Sequence, residues 1–392
     1  MSDIPVGIDA LSFYTPAYSL DLRVLAEQRG VNPDKYRIGL GQERMSVAPP
    51  DEDVVTMAAS AARPLLDLTD PNRIEWLIFA TETGVDQSKA AALFVHGLLE
   101  LPESCRAIEM KEACYSGTAA LQMACAWAAR RPDRQALIIA SDIARYDLRS
   151  PGEPTQGAGA VAMLVGAEPR ILAVDPEAGF HSEDVMDFWR PNYRDAALVD
   201  GQYSTRVYLA SLAQAWGRYC AASGRGFSDF TRFCYHLPFT RMAEKAQARL
   251  ARSAGAPDPT PEVLREYIGD SLRYNRVTGN TYTASLYEGL TSLLDHSTED
   301  LGGRRIGLYS YGSGCVAEFF SGRVQPDYRT RLRAAAHQAM LDARQELEYQ
   351  QYEDIFNLPF PADGGDHVFS QYRTGPYRLA GLSQHKRIYE AL

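Results

Sequence analysis

The sequence predicts an α/β fold with mainly parallel strand pairing, built from two similar halves. Three observations predict it: apolar runs of strand length alternate with helical stretches, a polar residue closes each main strand, and the same order recurs in the second half. The N-terminal segment carries Asp3 and Asp9 and lacks a basic stretch followed by an apolar core, so it reads as a first strand and not as a secretion signal. Residues 73–80 form a buried-strand run closed by Thr81, Glu82, Thr83 and Gly84. A helical stretch over 87–100 follows, then an Ala-rich helix opening behind Cys114, then strand 136–140 ending at Ser141 and Asp142, then strand 160–166.

The second half repeats this order. Strand 232–235 ends at His236, helices follow over 239–251 and 284–294, strand 306–309 ends at Ser310, and strand 316–320 follows. The halves divide at about residue 170, as 1–170 and 171–392. Residues 180–219 have no counterpart in the first half and carry Trp189, Tyr193, Tyr203, Tyr208 and Trp216, which suggests a cap over a pocket. A late strand is expected at 377–381.

Composition narrows the function classes. With 45% hydrophobic and 23% charged residues, the 392-residue chain reads as an ordinary globular protein. A net charge of −10 argues against nucleic acid or an anionic membrane as the main partner, since both demand a basic face. No apolar run approaches the roughly 18 residues of a membrane span. Six cysteines without C-x-x-C or metal-ligand spacing point to reduced thiols in a cytoplasmic protein with no metal site.

In such sheets ligands gather at strand C-termini and facing helix N-termini. Glu82, Cys114, His236 and Ser310 all fall there. Cys114 precedes a helix whose free amides and positive dipole end favour a thiolate and can hold an oxyanion. The competing readings are a buried structural cysteine, a solvated carboxylate and a satisfied core histidine. Arg241 and Lys245 share a helix face four residues apart, a phosphate site or simply a solvated basic face. The Gly157-Ala158-Gly159 run imitates a dinucleotide fingerprint, but a strand follows it where the fingerprint needs a helix. Gly312-Ser313-Gly314 lacks a P-loop ending and reads as a tight hairpin turn.

Taken together, the segments resemble hydroxymethylglutaryl-CoA synthase of the bacterial mevalonate-pathway type, within the thiolase superfamily. The resemblance runs through Gly30-Val31-Asn32-Pro33, Thr81-Glu82-Thr83-Gly84, Ala113-Cys114-Tyr115, Ser141-Asp142-Ile143-Ala144-Arg145-Tyr146 and Gly152-Glu153-Pro154-Thr155-Gln156. It continues with Asp187-Phe188-Trp189-Arg190-Pro191, Tyr235-His236-Leu237-Pro238, Gly279-Asn280-Thr281-Tyr282 and Ser310-Tyr311-Gly312. It implies a five-layered αβαβα thiolase-like fold of two pseudo-two-fold related halves, and a homodimer. The implied activity condenses acetyl-CoA with acetoacetyl-CoA and water to 3-hydroxy-3-methylglutaryl-CoA and CoA through an acetyl-cysteine, in isoprenoid biosynthesis.

By the same resemblance Cys114 is the nucleophile, Glu82 the general acid/base and His236 the residue that positions the acceptor. The amides of Cys114 and Ser310 hold the thioester oxygen. Tyr146, Asn280 and Thr155 stand near the acyl groups, and Asn32, Pro33, Ser204, Arg241 and Lys245 along CoA. The CoA thioesters are substrates, with no metal or bound cofactor. Arg241 and Ser116 depart from the Lys and Gly usual in the family. The alternative is a polyketide β-branching synthase acting on acyl-carrier-protein substrates. A non-catalytic acyl-CoA-binding relative is the third reading.

Overall fold

The computed structural model describes residues 4–392; Asp3 lies outside the described residues. Nine strands form one sheet: β1 (Val6–Tyr14), β2 (Ile74–Ala80), β3 (Arg106–Met110), β4 (Gln135–Ala144), β5 (Gly157–Ala167), β6 (Leu172–Ser182), β7 (Arg232–Tyr235), β8 (Arg305–Gly312) and β9 (Val316–Val324). Their spatial order is β7-β8-β9-β6-β1-β5-β4-β2-β3.

That order contains the two-fold relation. β1 lies antiparallel to β5, β5 antiparallel to β4, and β4 parallel to β2. The second half repeats the pattern: β6 antiparallel to β9, β9 antiparallel to β8, and β8 parallel to β7. The halves meet where β1 pairs with β6 through Gly7 opposite Ala173. β3 adds an outer strand to the first half, parallel to β2.

Six helices make the remaining layers: α1 (Val54–Leu66), α2 (Ala91–Leu98), α3 (Ser116–Ala128), α4 (Gly201–Ser223), α5 (Arg241–Ser253) and α6 (Ser285–His296). Strand alternation sorts them. On β4, Leu137 and Ile139 pack with α1 and α2, whereas Ala136, Ile138 and Ala140 pack with α3 and α6. On β8, Ile306 and Leu308 face the same inner helices, and Tyr309 and Tyr311 face α4 and α5. The sequence of layers is therefore outer helices, the strands of the first half, inner helices, the strands of the second half, outer helices. Asp53 starts α1 with a reciprocal cap, its carboxylate accepting from the Val55 and Thr56 amides.

Several expectations need adjustment. The pairing is mixed and not mainly parallel: five of the eight neighbouring pairs in the sheet are antiparallel, because β5 and β9 each run back as hairpin partners of β4 and β8 and the halves join through β1 and β6. Residues 201–219, read as part of a cap, belong to α4 (Gly201–Ser223), whose Tyr208, Leu212, Trp216 and Tyr219 pack in the core against β7, β8 and β9. It takes the place in the second half that α1 takes in the first. Its aromatic content, not an absent counterpart, had disguised it. The helix expected from residue 87 begins at Ala91, because the Asp86 carboxylate accepts from the Ser88 and Lys89 amides and holds a turn there. The late strand runs Tyr377–Ser383 and pairs with Lys386–Ala391.

Candidate active site

Cys114 stands in the turn that opens α3. Ala113 before it has a left-handed φ of 40°, and Tyr282 has a φ of 45° at the same offset before α6. Side-chain-bearing residues pay for such a conformation, so the surroundings must impose it. The end of β8 supplies that pressure: a Cβ on Gly312 would stand 2.5 Å from the Glu112 oxygen and 2.8 Å from the Tyr115 nitrogen. Only glycine lets the strand come this close to the nucleophile turn.

The Cys114 thiol donates to Glu82 Oε1 at 2.9 Å. Cys114 is 9% exposed and packs with Ala144, Tyr282 and Phe188. Glu82 is half-buried as a residue, with its carboxyl end inside the site. Burial, with the neighbouring Asp142 charge, pushes the Glu82 carboxyl up to about 8. Burial and the Glu82 carboxylate likewise push the Cys114 thiol well above its ordinary range. This corrects the expectation of a helix-stabilised thiolate. Within a dry, acidic setting the dipole loses, and the resting form is a thiol hydrogen-bonded to its base.

Asp142 organises this pair, and the sequence reading had given it no role. Its Oδ1 accepts from the Thr81 hydroxyl at 2.7 Å, the Glu82 amide at 2.9 Å, and the Thr83 amide at 3.0 Å and hydroxyl at 2.5 Å. Its Oδ2 accepts from the Thr283 amide at 3.1 Å and hydroxyl at 2.5 Å, across 141 residues of chain. One buried carboxylate thus fixes the Glu82 turn to the second half. The available signal was an Asp closing a strand beside another polar strand end.

His236 follows β7, parallel to β8, and its amide donates to the Tyr309 oxygen at 2.8 Å. It is 3% exposed, and burial lowers its imidazole to about 3. Its Nδ1 is buried without a partner. An unpaired lone pair there costs less than an unpaired N–H, which favours the tautomer with its proton on Nε2.

A cavity of about 60 Å³ joins Cys114, Tyr146, Ser204, His236, Asn280 and Tyr282. That is space for an acyl fragment. Asn280 Oδ1 accepts from the Tyr282 amide at 2.9 Å. Thr155 is buried next door: its hydroxyl donates to the Gly152 oxygen at 2.7 Å, and its own oxygen accepts from the Asn280 amide at 3.2 Å. The hydroxyl of Ser204 donates to Asp187 at 2.9 Å. Asp187 also accepts from the Tyr311 hydroxyl at 2.7 Å and the Gly314 amide at 3.0 Å, a second fully buried hub the sequence reading passed over. Ser310 is buried on β8 opposite Glu318 and shares the inner face with Ile306 and Leu308; Tyr311 and Ser313, not Ser310, line the cavity.

The remaining named positions lie apart from this cavity. Asn32 and Pro33 precede a short helix, Asp34–Arg37. Arg241 pairs with Glu244 at 3.1 Å and donates to the Ile38 oxygen at 3.2 Å, while its amide bonds the Leu40 oxygen. Lys245 is exposed, 5.2 Å from the Phe239 ring centroid. The loop after Asn32 and Pro33 is therefore tied to the first turn of α5. Of the expected cap, residues 183–200 do cover the site: Phe188 packs on Cys114 and Arg190 donates to the Glu82 backbone oxygen at 2.6 Å. A cleft of about 940 Å³ opens on the outer side of Glu82. Among the described residues no His, Cys, Asp or Glu cluster is arranged to hold a metal ion.

Comparison with known proteins gives a consistent picture. Residues 3–170 match the family pattern described as hydroxymethylglutaryl-coenzyme A synthase N terminal, and residues 256–360 the corresponding C terminal pattern. The hydroxymethylglutaryl-CoA synthase of Enterococcus faecalis is 44% identical over 90% of this chain and 91% of its own. The polyketide-biosynthesis 3-hydroxy-3-methylglutaryl-ACP synthase of Bacillus subtilis is 35% identical over 90% of this chain and 88% of its own. A solved structure of MvaS in complex with 3-hydroxy-3-methylglutaryl coenzyme A superposes with a TM-score of 0.91 at 40% identity, covering the whole of both chains.

Proposed function

This chain belongs to the hydroxymethylglutaryl-CoA synthase family, and from that premise we propose how its own residues condense acetyl-CoA with acetoacetyl-CoA and water. The observation that carries the reading is the 2.9 Å Cys114–Glu82 bond, with the Cys114 side chain sharing one cavity with a neutral His236.

As acetyl-CoA enters, Glu82 takes the thiol proton and the sulfur attacks the thioester carbonyl. CoA leaves as the thiol, protonated by Glu82, so the carboxylate is restored and the acetyl group rests on Cys114. Glu82 then removes a methyl proton, and the enolate adds to the C3 ketone of acetoacetyl-CoA. His236 donates from Nε2 to the ketone oxygen, which takes up the proton held by Glu82. Water hydrolyses the Cys114 thioester and frees 3-hydroxy-3-methylglutaryl-CoA. A base near neutrality suits this cycle, because Glu82 must both accept and return a proton.

The amides of Cys114 and Ser310 are the proposed donors to the thioester oxygen, and Asn280, Tyr146 and Thr155 the acyl-pocket wall. Asn32, Pro33, Ser204, Arg241 and Lys245 are the proposed CoA contacts; the bond between Arg241 and Leu40, which brings the loop to α5, supports grouping most of them. The proposed reaction uses no metal or bound cofactor. A homodimer fits the unpaired outer edge of β3, and a cytoplasmic setting fits six free cysteines. Among the described residues no helix is long and apolar enough to cross a membrane.

Acetyl-CoA alone should place one acetyl group on Cys114, read by mass spectrometry of the intact protein and its peptides. An unmodified Cys114 under saturating donor overturns the reading. Offering acetoacetyl as the free CoA thioester and as a carrier-protein thioester separates the two condensing families, and faster turnover of the free thioester is expected.

A further inference from the structure

We infer that Glu288 is a positioning residue of the acyl pocket, its buried carboxylate clamping the turn that carries Asn280; the inference rests on the condensation proposed above. Glu288 lies on α6, is 2% exposed, and takes part in none of the steps. Its two oxygens are taken by hydroxyls from either side of Asn280. Thr278 donates to Oε1 at 2.5 Å and Thr281 to Oε2 at 2.9 Å.

A carboxylate in this place is costly, since burial of a charge is unfavourable unless it is well paired. Its helix neighbours Leu286, Tyr287 and Leu290 belong to the apolar core. Among the described residues no cation lies within ion-pair distance of Glu288; the Arg344 guanidinium nearby donates instead to the Val277 oxygen at 2.9 Å and the Ser46 hydroxyl at 3.1 Å. What the carboxylate does hold is the turn.

The backbone of that turn is held as well. Gly279 has a φ of 84°, and a Cβ there would stand 1.9 Å from the Gln156 oxygen. The Asn280 amide donates to the Thr155 oxygen at 3.2 Å. Asn280 Oδ1 is occupied by the Tyr282 amide, which leaves its amide nitrogen as the donor available to the cavity shared with Cys114 and His236. Thr155 and Gln156 hold the backbone of the turn and Glu288 holds the hydroxyls on either side of Asn280, so the donor keeps a fixed pose. The Cys114–Glu82 pair is tethered separately, through Asp142 and Thr283.

The test uses the full-length enzyme with E288L, T281V and E288Q, each assayed for Cys114 acetylation by mass spectrometry and for condensation by steady-state kinetics. With E288L, acetylation should stay within about two-fold of wild type, while condensation kcat falls about ten-fold or more and KM for acetoacetyl-CoA rises, the loss expected of a misplaced group. E288Q keeps one acceptor oxygen and should recover most of the rate. The T281V/E288L pair should lose little more than E288L alone, because the two groups act as a unit.

Normal condensation by E288L overturns the inference, and so does an equal loss of acetylation and condensation, which general loosening of the core produces. Should E288L fail to fold, T281V carries the test, and normal condensation by T281V overturns it. Wild-type enzyme that acetylates but makes no product overturns the proposed reaction itself, an outcome distinct from a wild type that condenses beside an unaffected E288L.

Discussion

At the scale of the residue, the site is an argument about where protons rest. Glu82 near 8 and a Cys114 thiol raised well above its usual range are both products of burial among acidic groups. Replacing Glu82 with Ala should cut condensation by about 10²–10⁴-fold, with Cys114 still acetylated though more slowly, measured by product formation and peptide mass. The folded protein holds the Glu82 proton at pH values where the unfolded chain has released it. That contribution to stability is full below about 4.5, is lost as pH rises through about 8, and leaves a strained carboxylate at high pH. Glu82→Gln should therefore raise the melting temperature over wild type by more at pH 8.5 than at pH 5.5, as calorimetry can read. His236, lowered to about 3, should show no imidazole titration between pH 5 and 8 by NMR. His236→Ala should raise KM for acetoacetyl-CoA far more than it slows acetylation.

At the scale of the element, strand ends and helix starts do the positioning. β2 ends at Ala80, two residues before Glu82, β4 carries Asp142 near its end, and the turn just before α6 brings Thr283 to Asp142. Apolar runs of strand length over β2, β4, β7 and β8 made these strands legible, and the polar residues closing them, Thr81, Ser141, His236 and Ser310, marked their ends within a few residues. Such runs could not reveal that α4 is a core helix, since its aromatic residues read equally well as a lid. Nor could they reveal Asp142 as a hub, because all six of its donors come from other segments and its own strand shows none of them. Asp142→Asn should turn amide hydrogens toward several of those donors. Without the Asp142 charge the Glu82 carboxyl should fall toward its ordinary range, and the acidic limb of the condensation pH profile should shift to lower pH. An unshifted limb would show that burial alone sets the Glu82 value.

At the scale of the whole molecule, two similar halves share one sheet and place their inner helices side by side, so that α3 and α6 bring Cys114 and Asn280 to one cavity. The outer edge of β3 offers unpaired backbone groups, and such an edge is normally covered. Sedimentation at micromolar concentration should give twice the mass of one chain; a stable monomer would count against the dimer. The residue types at the strand ends, the order of the elements and the motif run from Glu82 to Ser310 are properties of the sequence by itself, and they sufficed to single out Glu82, Cys114 and His236 as candidates. Only the tertiary structure decided that Cys114 donates to Glu82 as a thiol, that Asp142 joins segments 141 residues apart, and that Glu288 grips the Asn280 turn. The reason is physical: periodicity is written locally along the chain, whereas desolvation and hydrogen bonding depend on which distant residues fill the space around a group.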